Sequence, residues 1–238
     1  MRLDIHNSEI PVLCQSCEAR HQGICGALDA SQLVQLGRWT SRREVPPGTE
    51  LVTAGLAADR YSNILSGVVK LTKLLPDGRQ QIVGLQFAPD FLGRPFADSS
   101  EVSAEAATIV RVCAFPRSVL EEMVRQSPAL EHRLHKQALR ELDDARDWMM
   151  ILGQKSAYEK VASFLLLLGR HVDPLVDGYS KTFDTPLKRS DIADFLGLTI
   201  ETVSRHLTHL RKAGIITILK NRRVTVNNYA ALEAAAGT

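Results

Sequence analysis

The spacing of apolar positions changes along the chain, and each change marks a different kind of element. Residues 29–40, Asp-Ala followed by Ser-Gln-Leu-Val-Gln-Leu-Gly-Arg-Trp-Thr, predict a short capped helix with Leu33 and Leu36 turned inward. From about residue 42 to 116, short β-rich runs are cut by Pro46-Pro47-Gly48, Gly55, Gly67, Pro76-Asp77-Gly78, Gly84, Pro89-Asp90 and Gly93. The run from 67 to 75, the turn Pro76-Asp77-Gly78 and the run from 79 to 87 predict a hairpin. Closely spaced strands with Gly at their corners predict an antiparallel barrel or roll.

Beyond Pro116 the period becomes helical. Residues 118–125 predict a short helix, and Ser127-Pro128 opens a long one, with Ser at the cap and Pro in the first turn. Along the long helix His135, Ala138, Leu142, Ala145, Met149 and Leu152 recur at alternating spacings of three and four. That is an a/d heptad seam, with Glu141 at g and Arg146 at the following e. The opposite face, Arg140, Asp143, Asp144 and Asp147, is charged, so the narrow stripe predicts a dimer seam in preference to a core stripe within one chain.

A further helix is expected from 157 to about 173, with a loop at 174–180. Two helices, 190–196 and 200–213, then flank Gly197-Leu198-Thr199, with Ile192, Ala193, Leu196, Leu198, Val203 and Leu207 as the packed elbow. Strands at 215–219 and 223–226 close a hairpin around Lys220-Asn221-Arg222. Helix, Gly turn, helix and basic hairpin predict a winged helix-turn-helix. Its second helix would enter a major groove and offer Glu201, Thr202, Ser204, Arg205 and Thr208 to base edges. Arginine can donate to guanine and glutamate can accept from cytosine.

Composition sets the class. At about 150 residues per domain, 238 residues make one or two domains, and 45% hydrophobic with 24% charged residues is a globular balance. The longest uncharged apolar run, 161–169, falls short of the roughly 20 residues a membrane span needs. Asp4 and Glu9 break any N-terminal apolar core, so neither a secretory signal nor a membrane partner is expected, and the location expected is cytoplasmic. The net charge of +2 is uneven: residues 185–238 carry +4 and the remainder −2, which places a basic surface on the winged helix. Absence of a Gly-rich phosphate loop, a nucleophile elbow and paired carboxylates beside a His argues against an enzyme.

Three of four cysteines lie in the first 25 residues, spaced Cys14-x2-Cys17-x7-Cys25, and the fourth is Cys113 in a strand before Pro116. In a cytosolic chain such a cluster reads as metal or redox ligands sooner than as disulfides. A close pair with a third thiolate suits three irons of a cubane cluster or one zinc, and Cys113 is the cysteine left to complete the set. Taken alone Cys113 would be a small buried hydrophobe. His21, inside the ligand loop, is read as solvated.

Roll, long helix and winged helix in that order, with the segment LGLTIETVSRHLTHLRKAGII, resemble the CRP/FNR family of transcription regulators across essentially the whole chain. Glu201, Ser204 and Arg205 match the Glu-x-x-Ser-Arg of its FNR branch, whereas the CRP branch has other residues where Ile200 and Ser204 stand. The resemblance implies an α+β fold: a cyclic-nucleotide-binding-like β-roll, a dimerisation helix and a C-terminal winged helix-turn-helix. Its expected divisions are a cluster-binding segment at 1–28, a sensor roll at 29–126, a dimerisation helix at 127–156 and a DNA-binding domain at 157–238. It implies an oxygen-labile [4Fe–4S] cluster on Cys14, Cys17, Cys25 and Cys113, as in oxygen sensors of the FNR, FnrN and FnrL types. The implied partners are a second copy of the chain, double-stranded DNA bearing a TTGAT-N4-ATCAA palindrome, and RNA polymerase, engaged under low oxygen. A zinc- or thiol-redox-dependent regulator of the same family is the alternative. In CRP-type receptors an Arg-Ser pair and a Glu hold the nucleotide phosphate. Here Val102 and Arg94-Pro95 stand in those places, so no cyclic nucleotide is expected. Ala145 replaces a seam Asp that opposes cluster-free dimerisation in enteric FNR, so this chain is expected to dimerise more readily without the cluster.

Overall fold

The computed structural model describes residues 10–15, 17–171, 182–219 and 222–237. They form two compact units, the first made of the described residues up to 73 with 85–142, the second of 74–84 with 143–237.

In the first unit, short helices α1 (Val12–Gln15) and α2 (Glu18–Gln22), a 3-10 turn (Ile24–Ala27) and helix α3 (Ala30–Gly37) precede the sheets. Asp29 starts α3 through a capping box: its carboxylate accepts from the Gln32 amide at 2.8 Å, and Gln32 Oε1 accepts from the Asp29 amide at 3.0 Å. Leu33 and Leu36 turn into the core, as their spacing requires.

Eight strands follow: β1 (Ser41–Val45), β2 (Glu50–Val52), β3 (Arg60–Ser66), β4 (Val68–Leu74), β5 (Gln80–Phe87), β6 (Phe91–Leu92), β7 (Ser103–Ala106) and β8 (Val110–Pro116). They make two four-stranded sheets, ordered β1-β8-β3-β6 and β2-β7-β4-β5, in which β8 pairs antiparallel with β1 and β3, β3 with β6, and β7 with β2 and β4. This is the expected roll, with the hairpin β4–β5 in it. Val45, Ile64, Val69, Ala104, Ala106, Val110 and Val112 fill its interior.

Helix α4 (Arg117–Gln126) leads to the long α5 (Pro128–Gln154). Ser127 Oγ accepts from the Leu130 amide at 3.4 Å, so Ser127 caps α5 as its sequence indicated. A second apolar cluster ties the cysteine-bearing segment to the sheets and helices: Ile24, Leu28, Leu36, Phe91, Phe115, Leu120 and Leu130, with Cys14 and Cys25 against it.

The second unit holds α6 (Ala157–His171), β9 (Thr182–Asp184), α7 (Arg189–Leu196), α8 (Ile200–Lys212), β10 (Ile216–Leu219), β11 (Arg223–Val226) and α9 (Tyr229–Ala236). The sheet order is β10-β11-β9. Sequence pattern missed β9, whose three residues carry no period of their own and gain their conformation by pairing with β11. It also left the Ala-rich C-terminal stretch unassigned. That stretch is α9, begun by Asn228, whose side chain accepts from the Ala231 amide at 3.0 Å. The expected loop at 174–180 and the turn residues Lys220 and Asn221 lie outside the described residues. No helix among the described residues is long and apolar enough to cross a membrane.

Candidate functional site

Three separate pieces of chain bring the four cysteines to one small cavity. Cys14 lies in α1, and the Cys17 amide donates back to the Cys14 carbonyl at 3.3 Å, which holds the close pair together. Cys25 lies in the 3-10 turn, where Gly26 is required. A Cβ at Gly26 would stand 2.9 Å from the His21 carbonyl oxygen and 3.0 Å from that of Arg20. Cys113 comes from β8, between Arg42 on β1 and Asn63 on β3 in the strand registers.

Arg42 and Asn63 also face the cavity. Asn63 Nδ2 donates to Cys25 Sγ at 3.2 Å, and the Arg42 guanidinium donates to the Leu13 carbonyl beside Cys14. Sequence reasoning missed both, because each gains its place through strand pairing.

The thiols of Cys14, Cys25 and Cys113 are costly to ionise here. Burial, then the neighbouring thiols Cys113, Cys14 and Cys17, push Cys25 up to about 12, against the Asn63 hydrogen bond. Burial with Cys17 and Cys14 pushes Cys113 up to about 11, against Arg42. Cys14 is raised by burial and Cys17, again opposed by Arg42. Thiolates so placed need a cationic centre, and a metal group would supply one and release their protons. The donor set, all sulfur, suits such a group. Among the described residues, no three His, Cys, Asp or Glu side chains stand close enough together to hold a single metal ion. His21 is half-buried beside Arg20, with Arg20 Nη2 at 3.4 Å from its Nε2, and does not line the cavity.

Another cavity lies in the roll, lined by residues including Tyr61, Gln86, Arg94, Val102 and Arg117. The sequence reading placed Arg94 here, with Val102 where a phosphate-binding Arg would stand; Arg117, which it did not name, borders the cavity as well. Arg117 is held by Glu121 at 2.9 Å, and Glu121 also accepts from the Tyr61 hydroxyl and the Phe96 amide, each at 2.8 Å.

In the second unit, Gly197 makes the bend between α7 and α8 in the left-handed region at φ 61°, and the Leu198 amide donates to the Ala193 carbonyl at 2.9 Å. Thr199 caps α8 by accepting from the Thr202 amide at 3.2 Å. Of the expected elbow, Ile192, Ala193, Leu196, Val203 and Leu207 are buried and Leu198 is half-buried; Phe195 and Leu210 complete it.

Glu201, Ser204 and Arg205 are exposed at spacings that place them on one face of α8. Thr202 and Thr208, expected to be exposed with them, are half-buried. Their hydroxyls are engaged locally: Thr202 Oγ1 accepts from Thr199 Oγ1 at 3.1 Å, and Thr208 Oγ1 donates to the Ser204 carbonyl at 2.9 Å. The Glu201 carboxyl is held below its ordinary value by its own amide and the Thr199 hydroxyl. In the wing, Arg222 is exposed, while Arg223 grips Asp184 at 3.1 and 3.2 Å.

On α5, His135, Ala138, Leu142, Ala145 and Met149 are exposed and Leu152 is half-buried. Leu142 and Met149 are 44% and 73% exposed, with Leu139 exposed beside them. The opposite side is less uniformly polar than its charges suggested: Leu130 and Gln137 are buried and Leu134 packs on the core.

The two domains are shared with known proteins. A model of the Crp-like helix-turn-helix domain matches residues 159–235, and one of the cyclic nucleotide-binding domain matches 42–127. The chain is 52% identical, over 97% of its length and 98% of the relative's, to a probable transcriptional activator of Rhizobium leguminosarum bv. viciae. It belongs to the CRP/FNR family of DNA-binding transcription regulators. It is 37% identical, over 96% of its length and 95% of the relative's, to the transcriptional activator protein FnrL of Cereibacter sphaeroides. Among solved structures, FixK2 of Bradyrhizobium japonicum matches with TM-score 0.75 and 32% identity, covering 82% of this chain and 96% of that one. A family regulator, and not an enzyme, is therefore what the roll and winged helix make.

Proposed function

We propose that this CRP/FNR regulator is an oxygen-responsive transcriptional activator whose DNA affinity is set by a [4Fe–4S] cluster on Cys14, Cys17, Cys25 and Cys113. The observation that carries the reading is the convergence of these four thiols, from three pieces of chain, on one cavity. The FnrL likeness supports it. When bound, the cluster supplies iron–sulfur chemistry that oxygen degrades.

The residues of the chain do the rest. Four thiolates anchored on α1, just before α2, in the 3-10 turn and on β8 fix the cysteine-bearing segment against the core that also holds the start of α5. The seam His135, Ala138, Leu142, Ala145, Met149 and Leu152 then pairs with its copy. Two copies of Glu201, Ser204 and Arg205 read the two halves of a TTGAT-N4-ATCAA palindrome, with Thr202 and Thr208 supporting that face. A ligand that favours the dimer must raise affinity for a site only the dimer reads, which is the linkage the switch needs. RNA polymerase is the further partner, and the cytoplasm the place of action. A cyclic nucleotide has no part in this reading, since aliphatic Val102 stands where a phosphate-binding Arg is expected and, of the two arginines bordering the roll cavity, Arg117 is paired with Glu121.

The experiment is titration of a duplex carrying the palindrome with protein kept anaerobic and with the same sample after exposure to air. Affinity should fall on air exposure, and Cys113→Ser should bind weakly in both states. Equal binding before and after air would move the input to zinc, thiol redox or protein level.

A further inference from the structure

The 3-10 turn that carries Cys25 shares an apolar cluster with Leu130 and Leu134 of the long helix, and Arg133 of that helix adds hydrogen bonds to the chain just before the turn and at its start. Arg133, on α5, reaches across 110 residues of sequence to donate through Nε to the Gly23 carbonyl at 3.2 Å, and through Nη2 to the Gln22 carbonyl. The Gln22 carbonyl ends α2, where a helix terminus leaves acceptors open, and the Gly23 carbonyl begins the turn, where it also accepts from the Gly26 amide at 3.2 Å. A guanidinium is suited to such a place, because its planar fork satisfies two acceptors at once and its charge strengthens both bonds. Arg133 is half-buried and stands two residues before His135, the first position of the seam.

We propose that Arg133 is the positioning residue that transmits the state of the cysteine segment to the dimerisation helix. This rests on the reading of the four cysteines as cluster ligands. When the segment is fixed by its sulfur ligands, the Gln22 and Gly23 carbonyls hold the first turns of α5 and thereby set where the seam begins. When the segment is released, Arg133 loses both acceptors and the start of α5 loses this hydrogen-bonded tie. Coupling of this kind is a ratio of affinities, typically about 5–150-fold between two sites.

The test compares wild type, Arg133→Ala and Arg133→Lys. For each, iron and sulfide are counted anaerobically, and the dimer dissociation constant is measured by sedimentation for loaded and cluster-free protein. Arg133→Ala should keep its iron and sulfide, while the tightening of the dimer on loading falls by about tenfold or more. Arg133→Lys, which keeps the charge without the fork, should recover part of the tightening. Loaded Arg133→Ala with the wild-type ratio of loaded to cluster-free dimer affinity would overturn the assignment and leave the cluster reading standing. Wild-type protein that takes up no iron would overturn both.

Discussion

Asn63 reaches Cys25 with its side chain while lying opposite Cys113 in the sheet: Nδ2 donates to Cys25 Sγ at 3.2 Å, and the β3–β8 register pairs Asn63 with Cys113. One buried residue thus relates two thiols that are 88 positions apart in the chain. Hydrogen bonds to ligand sulfurs orient them and tune the group they hold. Asn63→Ala should therefore bleach faster in air and retain iron about tenfold or more less firmly under chelator challenge. Visible absorbance against time measures both, and wild-type rates would mean that Asn63 only packs.

The Arg205 side chain stands exposed beside Glu201 and Ser204 on α8. If it reads guanine, Arg205→Ala should weaken binding by about 1–3 kcal/mol and relax preference at one base of each half-site. Anisotropy titrations with the palindrome and with single-base changes separate the possibilities. A uniform loss across all duplexes would make Arg205 a phosphate contact.

The seam on α5 is already open to solvent in a single chain, so Leu142→Glu should leave folding intact and give monomers in sedimentation. Ala145 lacks the charge that would repel its copy, so cluster-free wild type should retain measurable dimer and Ala145→Asp should lose it. Cluster-free wild type sedimenting only as monomer would contradict this.

Much of this arrangement is legible in local sequence, because it rests on local physics. The Asp29 capping box, the Ser127 cap, the hairpin turn and the Gly197 bend each depend on a few adjacent residues. What was not legible depends on partners far along the chain. Arg42, Asn63 and Arg133 read as ordinary polar residues until pairing and packing bring them to the cysteine segment. Thr202 and Thr208 share the period of an exposed face, but helix packing and local hydroxyl bonds turn them partly inward.

Glu121 accepts from Tyr61, Phe96 and Arg117 in the first unit. Burial opposes its ionisation, yet the Phe96 amide, the Tyr61 hydroxyl and Arg117 together hold the carboxyl below the usual glutamate range. A folded-state value below the unfolded one adds stability above the unfolded value of about 4.3, and that stability is lost as pH falls through the folded value. Glu121→Gln should cost about 2 kcal/mol at neutral pH, roughly 4–8 °C in Tm. The difference should narrow below about pH 4, which thermal melts across pH will show.

The most direct measurement is an anaerobic purification followed by a visible spectrum, iron and sulfide analysis, and admission of air. Broad absorbance near about 400 nm with about four irons and four sulfides per chain, bleaching in air as the dimer weakens, is the expected result. A colourless protein free of iron, or one carrying stoichiometric zinc, that still dimerises and binds the palindrome equally with and without air would contradict it.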